Sequence, residues 1–523
     1  MAYASEWLVE LEAYTGSEVV TLRYSVNGFT THPGDVPANT TYDARISGIG
    51  AFSRALFTEG RTTGAASVEM SDLTLSNADG ELDALKGYAV DGRRFVLKRL
   101  PYDAPYSSAQ TVLTGTMEGI DASAGSLTLM VRFYDRRRDI DVPLQEEKYA
   151  GTTTSAGPTA EGSEDLKDRI KPLVFGRCFS VPATIVNDFN MFLQFSASQL
   201  HEIQLYDGGV PLINDGDVAT LADLAAATGN PGHYKTCLAQ GIARPFGTFN
   251  GRPAFTWTAD VAESGNLADH RAGAIVQRML ARIGIDSSQL DVASFAQMNS
   301  AVTAELGIYF DSETTVLSAT SEITRSVGAS LVPDHLGRFV IGRLDAPGVP
   351  IASITEPEIL TSSKDETLAF ASNPDTDGQI PTHSILLKYR RHWHVHSDSD
   401  LGHCANFADP TRGSSLKQEW REVRAEDPAV LARHLLSREV EVETFLVDAA
   451  AALAEAERRL GLYGVDRTVV RVSVDLDQAA VLQMNETVEL IVDRFSFIEG
   501  KAMRIIGRVE DFAAEKLILT LWG

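Results

Sequence analysis

Residues 6–24 read EWLVELEAYTGSEVVTLRY, and apolar and polar residues alternate on both sides of Thr15-Gly16. Period-two alternation around a tight turn is the pattern of a β-hairpin with one face buried. The neighbouring segments repeat it: ASVEMSDLTLSN at 66–77, RRFVLKRL at 93–100, AQTVLTGTMEGIDAS at 109–123 and GSLTLMVRFYD at 125–135. Turn residues separate them, among them Asn77-Ala78-Asp79-Gly80 and Asp91-Gly92. Strands this short and closely spaced predict a β-barrel or sandwich over residues 1–148. The basic knot DRRRDID at 135–141 is expected to be a solvated turn after the last strand.

Working outward, YAGTTTSAGPTAEGSED at 149–165 is rich in Gly, Ser, Thr and Pro and reads as a linker or exposed loop. β character resumes in KPLVFGRCFSVPATIV at 171–186, HEIQLYDGGVPL at 201–212 and RPAFTWTADV at 252–261, a β-rich insertion module over 166–262. Helical spacing takes over next. Ala272, Ile275, Val276, Met279, Leu280 and Ile283 share a face, Asn266 is placed to cap the start and Gly284 to close the end. A second helix over 312–328, with Val316, Ile323 and Val327 on one side, and a hairpin over 330–343 complete an α+β module at 263–348. In the last part, 349–523, residues 383–395 read as a strand and Asp427-Pro428 as a helix start. Residues 448–460 read as an alanine-rich helix with Leu453 and Leu460 on one face and Gly461 as its stop. Four strands are expected at 467–476, 486–493, 501–511 and 516–523.

At 523 residues the chain exceeds what one hydrophobic core supports, since single cores stop growing near ~250–300 residues. Its 46 Lys and Arg against 71 Asp and Glu leave a formal net charge of −25, which repels a phosphate backbone. That argues against stable binding to nucleic acid or to an anionic membrane. No basic segment followed by an apolar run opens the sequence, and no stretch approaches the ~18–20 apolar residues of a membrane helix. Synthesis in the cytoplasm without stable membrane insertion is therefore expected. Cys178, Cys237 and Cys404 are odd in number and far apart, which suits buried or inert thiols better than a disulfide framework.

Motifs that carry chemistry are scarce. The sequence holds no phosphate loop, dinucleotide fingerprint, nucleophile elbow or HExxH helix, and Asp398 and Asp400 lack the Gly and downstream Glu of a calcium loop. The one candidate is KYRRHWHVHSDSDLGHC at 388–404. On a strand, His392, His394 and His396 share a face with successive side chains ~6.5–7 Å apart, whereas tetrahedral zinc wants ligand atoms roughly 3.3 Å apart. His392, His394 and His396 with His403 or Cys404 would suit a metal-dependent hydrolase. The competing reading puts Leu387, Tyr389 and Trp393 toward a core and the histidines on the opposite, wetter face. We expect the second, with no catalytic residue, no cofactor and no metal site. A pH-sensitive contact near the ordinary histidine pKa of ~6.5 is then the further role open to them.

Several stretches together resemble one family. LTLSNADGELDALKGYAVDGRRFVLK at 73–98 is similar to the N-terminal region of baseplate-hub or tail-tip proteins of long-tailed bacteriophages and gene transfer agents. So are residues 171–186, the YDGGVPL turn at 206–212, and GHYKTCLAQGIARPFG at 232–247 leading to TADV at 258–261. The end, NETVELIVDRFSFIEGKAMRIIGRVEDFAAEKLILTLWG at 485–523, looks like the family's closing β-barrel. Asn485 and Glu486 stand where a Gly-Asp-x-Val turn is more usual, and Asn tolerates the left-handed conformation.

The resemblance implies a mainly β, multidomain chain with some α, built of two tail-tube-like β-barrel or sandwich domains at 1–148 and 349–523 plus the intervening modules. It implies a structural virion protein at the tail tip, a homotrimer whose six barrels adapt a sixfold tube to a threefold tip. Its expected partners are a distal tail protein ring, a tip or central fibre protein and the tape measure protein. DNA would pass through an acidic lumen without specific binding. In this family the strand carrying a tyrosine, basic residues and a tryptophan has no required histidine, which lowers the metal reading. The rival readings are the hydrolase and a receptor-binding adhesin presenting the loops of 171–261.

Overall fold

The computed structural model describes residues 5–57, 62–63, 69–122, 127–247, 256–360, 368–371, 380–407 and 409–523, and the opening hairpin forms as the alternation requires. Ser5–Tyr14 pairs antiparallel with Val19–Ser25. Trp7, Val9, Leu11 and Ala13 enter one buried cluster, while Leu8 on the opposite face is covered by Tyr42 and Leu100. Seven more strands extend this sheet along an open path. Phe29–Thr30 and Thr41–Ala44 lie beyond Val19–Ser25; Arg94–Pro101, Gln110–Ala122, Thr128–Tyr134, Met70–Ser76 and Ile46–Ile49 follow on the other side. Residues 66–68 of the strand expected at 66–77, residue 123 of that at 109–123 and residues 125–126 of that at 125–135 lie outside the described residues.

A second open sheet comes from the far end of the chain. Its path runs through Ala352–Thr355, Thr487–Ile491, Lys501–Asp511, Lys516–Trp522, Val469–Asp475 and Ala369–Ala371. One strand crosses over: Phe52–Ala55 pairs antiparallel with Phe52 opposite Glu510 and Ala55 opposite Gly507. The two sheets share a core, in which Trp7, Phe52, Phe95 and Phe133 mix with Val470, Leu517, Leu519 and Phe512. The Trp7 and Phe512 rings meet edge to face at 5.2 Å. The chain is thus mainly β, 39% strand against 21% helix, in several sheets and more than one domain. Neither terminal sheet closes into a barrel among the described residues. Each buries its apolar face against the other sheet, so closure on itself is not needed to cover it.

Between the termini, Val210–Pro211, Glu202–Asp207, Trp257–Ala262, Leu173–Pro182 and Gly307–Phe310 form one five-stranded sheet, and Thr184–Asn187, Phe192–Gln194, Ile242–Pro245, His233–Cys237 and Ile213–Asp217 form another. The helices Ala272–Arg282, Val292–Ala301 and Val316–Ser326 bury Ile275, Met279, Val316 and Ile323 in a second core. That core also takes Ile385 and Leu387 from Ser384–Tyr389 and Ala452 and Ala456 from the helix Ala449–Tyr463.

Several local expectations hold and others are corrected. Gly284 closes Ala272–Arg282 with φ +83°, but Asn266 caps a short 3-10 turn, Leu267–His270, that precedes the helix. Asn485 adopts φ +66°, the left-handed conformation expected of it. Gly461 does not stop its helix, which runs on to Tyr463 because Leu462 and Tyr463 pack against Val469 and Trp522. Burying those side chains outweighs the ~1 kcal/mol that a mid-helix glycine costs. That helix buries Ala452, Glu455, Ala456 and Arg459, and Leu453 is exposed. The basic knot is not a solvated turn. Arg137 is fully buried, its Nε donating to Asp135 Oδ2 at 2.8 Å, and Arg136 reaches Gln289 Oε1 at 2.7 Å and the Gly337 carbonyl at 3.0 Å. Residues 149–163 form no strand or helix and Glu164–Leu166 is a single 3-10 turn, yet Tyr149 is buried and donates to Gln194 Oε1 at 2.6 Å.

Candidate functional site

The histidine-bearing segment leaves its strand earlier than its pattern suggests. Ser384–Tyr389 ends at Tyr389, and Arg390 turns the chain with φ +49°. From there the backbone is laced between two elements. His392 N–H donates to the Glu419 carbonyl at 2.7 Å, Trp393 N–H to Phe179 at 3.2 Å, His394 N–H to Ser180 at 2.8 Å and His396 N–H to Leu416 at 3.0 Å. Phe179 and Ser180 belong to Leu173–Pro182, so residues 390–396 lock the middle sheet to the later part of the chain.

Trp393 packs inward, as expected. It stacks on Phe445 at 5.8 Å, meets Tyr309 edge to face at 5.6 Å, and carries the Arg391 guanidinium over its ring at 4.4 Å. The histidines are not on a wetter face. His392 is 5% exposed and His396 2%, and only His394 keeps partial access. Once the strand ends, side chains no longer alternate, so the period-two argument that placed them outward lapses. Burial, reinforced by Arg421 and Arg390, pulls the His392 pKa down to about 4; burial, with His394 beside it, does the same to His396. Burial also lowers His394, whose ring lies edge on to His396 at 4.8 Å. His392 and His396 therefore take up a proton less readily than an ordinary histidine, which moves any pH-sensitive contact they make below 6.5.

His403 and Cys404 lie exposed in the turn that follows. Among the described residues no group of three His, Cys, Asp or Glu side chains gathers closely enough to hold a metal ion. Nor is a nucleophile activated nearby. Ser180 Oγ donates to the His394 carbonyl at 2.9 Å rather than to a ring nitrogen, and burial raises the Cys178 thiol well above its usual range. An attacking group is activated by an adjacent base, a lowered pKa or metal coordination.

The residues that complete this junction come from YDGGVPL. Gly402 N–H donates to the Gly208 carbonyl at 2.7 Å, and a Cβ on Gly208 would lie 2.7 Å from the Asp400 carbonyl oxygen. Arg412 lies over the Tyr206 ring at 4.1 Å and its Nε donates to the Gly209 carbonyl at 2.8 Å. Tyr206 in turn donates to Asp260 Oδ2 at 3.0 Å, while Ser180 N–H reaches Asp260 Oδ1 at 2.9 Å. Burial raises the Asp260 carboxyl pKa. The paired glycines and the TADV stretch holding Asp260 were the visible signals; Arg412 carried none, because its partners lie far away in sequence.

A different kind of site lies where the terminal sheets meet. Arg54, from the exchanged strand, and Arg508 both engage Oε1 of Glu510, the latter at 2.6 Å, and all three are buried. Arg99 pairs with Asp477 across the same boundary. Exposed apolar side chains cluster at the free margin of the C-terminal sheet, where Phe370 of Ala369–Ala371 meets Phe495 edge to face at 5.2 Å and Ile498 is nearby in sequence. No helix among the described residues is long and apolar enough to cross a membrane.

No protein-family model matches the chain, and no curated protein does either. Solved structures do. A tail protein from Neisseria meningitidis MC58 is 10% identical, spans 100% of this chain and 97% of its own, with a TM-score of 0.42. The 43 kDa tail protein of prophage MuSo2 from Shewanella oneidensis is 9% identical over 99% of this chain and 96% of its own, TM-score 0.41. A chain of the virion of a native gene transfer agent particle is 14% identical over 74% of this chain and 91% of its own, TM-score 0.44. The chain is therefore similar to phage and prophage tail proteins and to a gene transfer agent virion component.

Proposed function

We propose that this chain is a structural protein of a phage-type tail, a baseplate hub that joins the tail tube and distal tail ring to the tip or fibre as a homotrimer in the virion. One observation carries the reading. Two β-sheets from opposite ends of the chain are built on a single core and cross-linked by the exchanged strand Phe52–Ala55. One chain thereby presents two sheets as a unit, so three chains supply six, which is the arithmetic of a threefold-to-sixfold adapter. The sheets stay open, with Phe29–Thr30, Ile46–Ile49, Ala352–Thr355 and Ala369–Ala371 at their margins. Open margins are templates for pairing with another chain, and a closed ring is the arrangement that removes them.

The residue-level resemblance of 73–98, 171–186, 206–212 and 485–523 supports the same reading. The charge of −25 suits a bore through which DNA slides without adhering. Function here is geometric, and the chain needs no catalytic residue or cofactor for it. Light scattering on the purified chain, alone and co-expressed with a distal tail protein, is the test. Three chains per particle is the expected result. A monodisperse monomer that does not join its neighbours overturns the proposal.

A further inference from the structure

Ser384–Tyr389 is the central strand of a three-stranded sheet, with Arg421–Glu426 antiparallel on one side and Glu439–Glu443 parallel on the other. The outer strand reads EVEVE. Val440 and Val442 pack against the core that holds Ile385 and Leu387, yet both stay only half-buried, while Glu439, Glu441 and Glu443 are exposed. Thr444 N–H donates to the Lys388 carbonyl at 3.0 Å. Backbone groups alternate along a strand, so Val440 and Val442 turn theirs the same way, toward the central strand, and Glu439, Glu441 and Glu443 aim theirs outward. Among the described residues nothing meets those outward N–H and carbonyl groups. An unpaired margin of this kind is a template for another strand.

Charge says which strand fits. Glu422, Glu426, Glu439, Glu441 and Glu443 share the outer face of the sheet with Lys388 and Arg424. Lys388 bonds Glu441 and lies 3.5 Å from Glu443; Arg424 bonds Glu439 at 2.9 Å and lies 3.5 Å from Glu426. Two cations thus serve five carboxylates. A second copy of the chain does not supply the missing cations from the opposite margin of this sheet, because Arg421–Glu426 would set Glu422 and Glu426 against the same glutamates. We propose that Glu439–Glu443 is a docking edge for an extended segment of another protein, one that alternates Lys or Arg with apolar residues. Its main chain would continue the ladder, and its cations would stand opposite Glu439, Glu441 and Glu443 at about 4.5–5.5 Å between Cβ atoms. Its apolar residues would finish covering Val440 and Val442. Such docking is independent of how many copies of the chain assemble.

The test is fluorescence anisotropy of the labelled peptide GKVKVKVKG titrated with the full chain. Saturable binding is expected. The peptide GKKKKVVVG has the same composition and charge without the alternation, and should bind about tenfold more weakly through loss of the cross-strand pairs. GKVKVKVKG methylated on alternate main-chain nitrogens cannot complete the ladder and should be weakened as much. Glu441→Lys/Glu443→Lys, at exposed positions, should reject GKVKVKVKG and take GEVEVEVEG instead. No saturable binding, equal affinity for the two basic peptides, or an unchanged choice of peptide by the variant would each overturn the proposal. So would self-association of the wild type that the variant loses, which assigns the edge to a second copy of the chain.

Discussion

Acidification should unlock the junction held by residues 390–396. An unfolded chain binds a proton at each histidine near pH ~6.5, whereas folded His392 and His396 resist it until about 4. The unfolded state therefore binds more protons between these values, and stability falls as pH drops through that window. Its full contribution is present above ~6.5 and is lost by the time pH reaches the folded value. With these two pKa values, linkage gives about 2 kcal/mol per histidine at pH 5 and about 3 kcal/mol at pH 4. The pair thus removes about 4 kcal/mol at pH 5, a large part of the ~5–15 kcal/mol that holds a domain together. Carboxylates also titrate in acid, so the comparison is differential. Urea unfolding of the wild type and of the His392→Gln/His396→Gln double variant at pH 7.5 and 5.0 should show the variant losing about 4 kcal/mol less across that interval. Equal losses would refute the reasoning, as would an NMR titration placing either imidazole near 6.5 in the folded chain.

Three further outcomes follow from local geometry. Glu510→Gln preserves shape but leaves Arg54 and Arg508 without their shared carboxylate, and should cost about 3–5 kcal/mol in denaturant unfolding; a change under about 1 kcal/mol would mean that the pair is solvated. Gly307 faces Gly176 across paired strands, and a Cβ there would lie 1.7 Å from the Arg177 carbonyl oxygen, so Gly307→Ala should destabilise by about 3 kcal/mol. Gly461→Ala, in open space within its helix, should stabilise by roughly 0.5–1 kcal/mol, and thermal melts of the two variants should move in opposite directions.

The elements legible in the sequence are those whose signal is local. Alternation about Thr15-Gly16 specified the first hairpin, the spacing of Ala272 to Leu280 specified a helix, and Asn485 announced a left-handed turn. Each depends on residues within about a turn or a strand of one another, which is the range over which backbone geometry imposes a period. Composition likewise determined the acidic character and the excess of strands. Tertiary structure alone decided which sheet each strand joins and which polar groups are buried. Phe52–Ala55 pairs with residues more than 450 positions away, and nothing in its four residues selects that partner. Arg137 and His392 look like surface residues in sequence. One is enclosed beside Asp135, the other beneath Glu419 and Phe179, because burial is a property of what arrives from elsewhere in the chain. The same holds for the buried Arg54–Glu510–Arg508 group, whose members come from opposite ends of the chain.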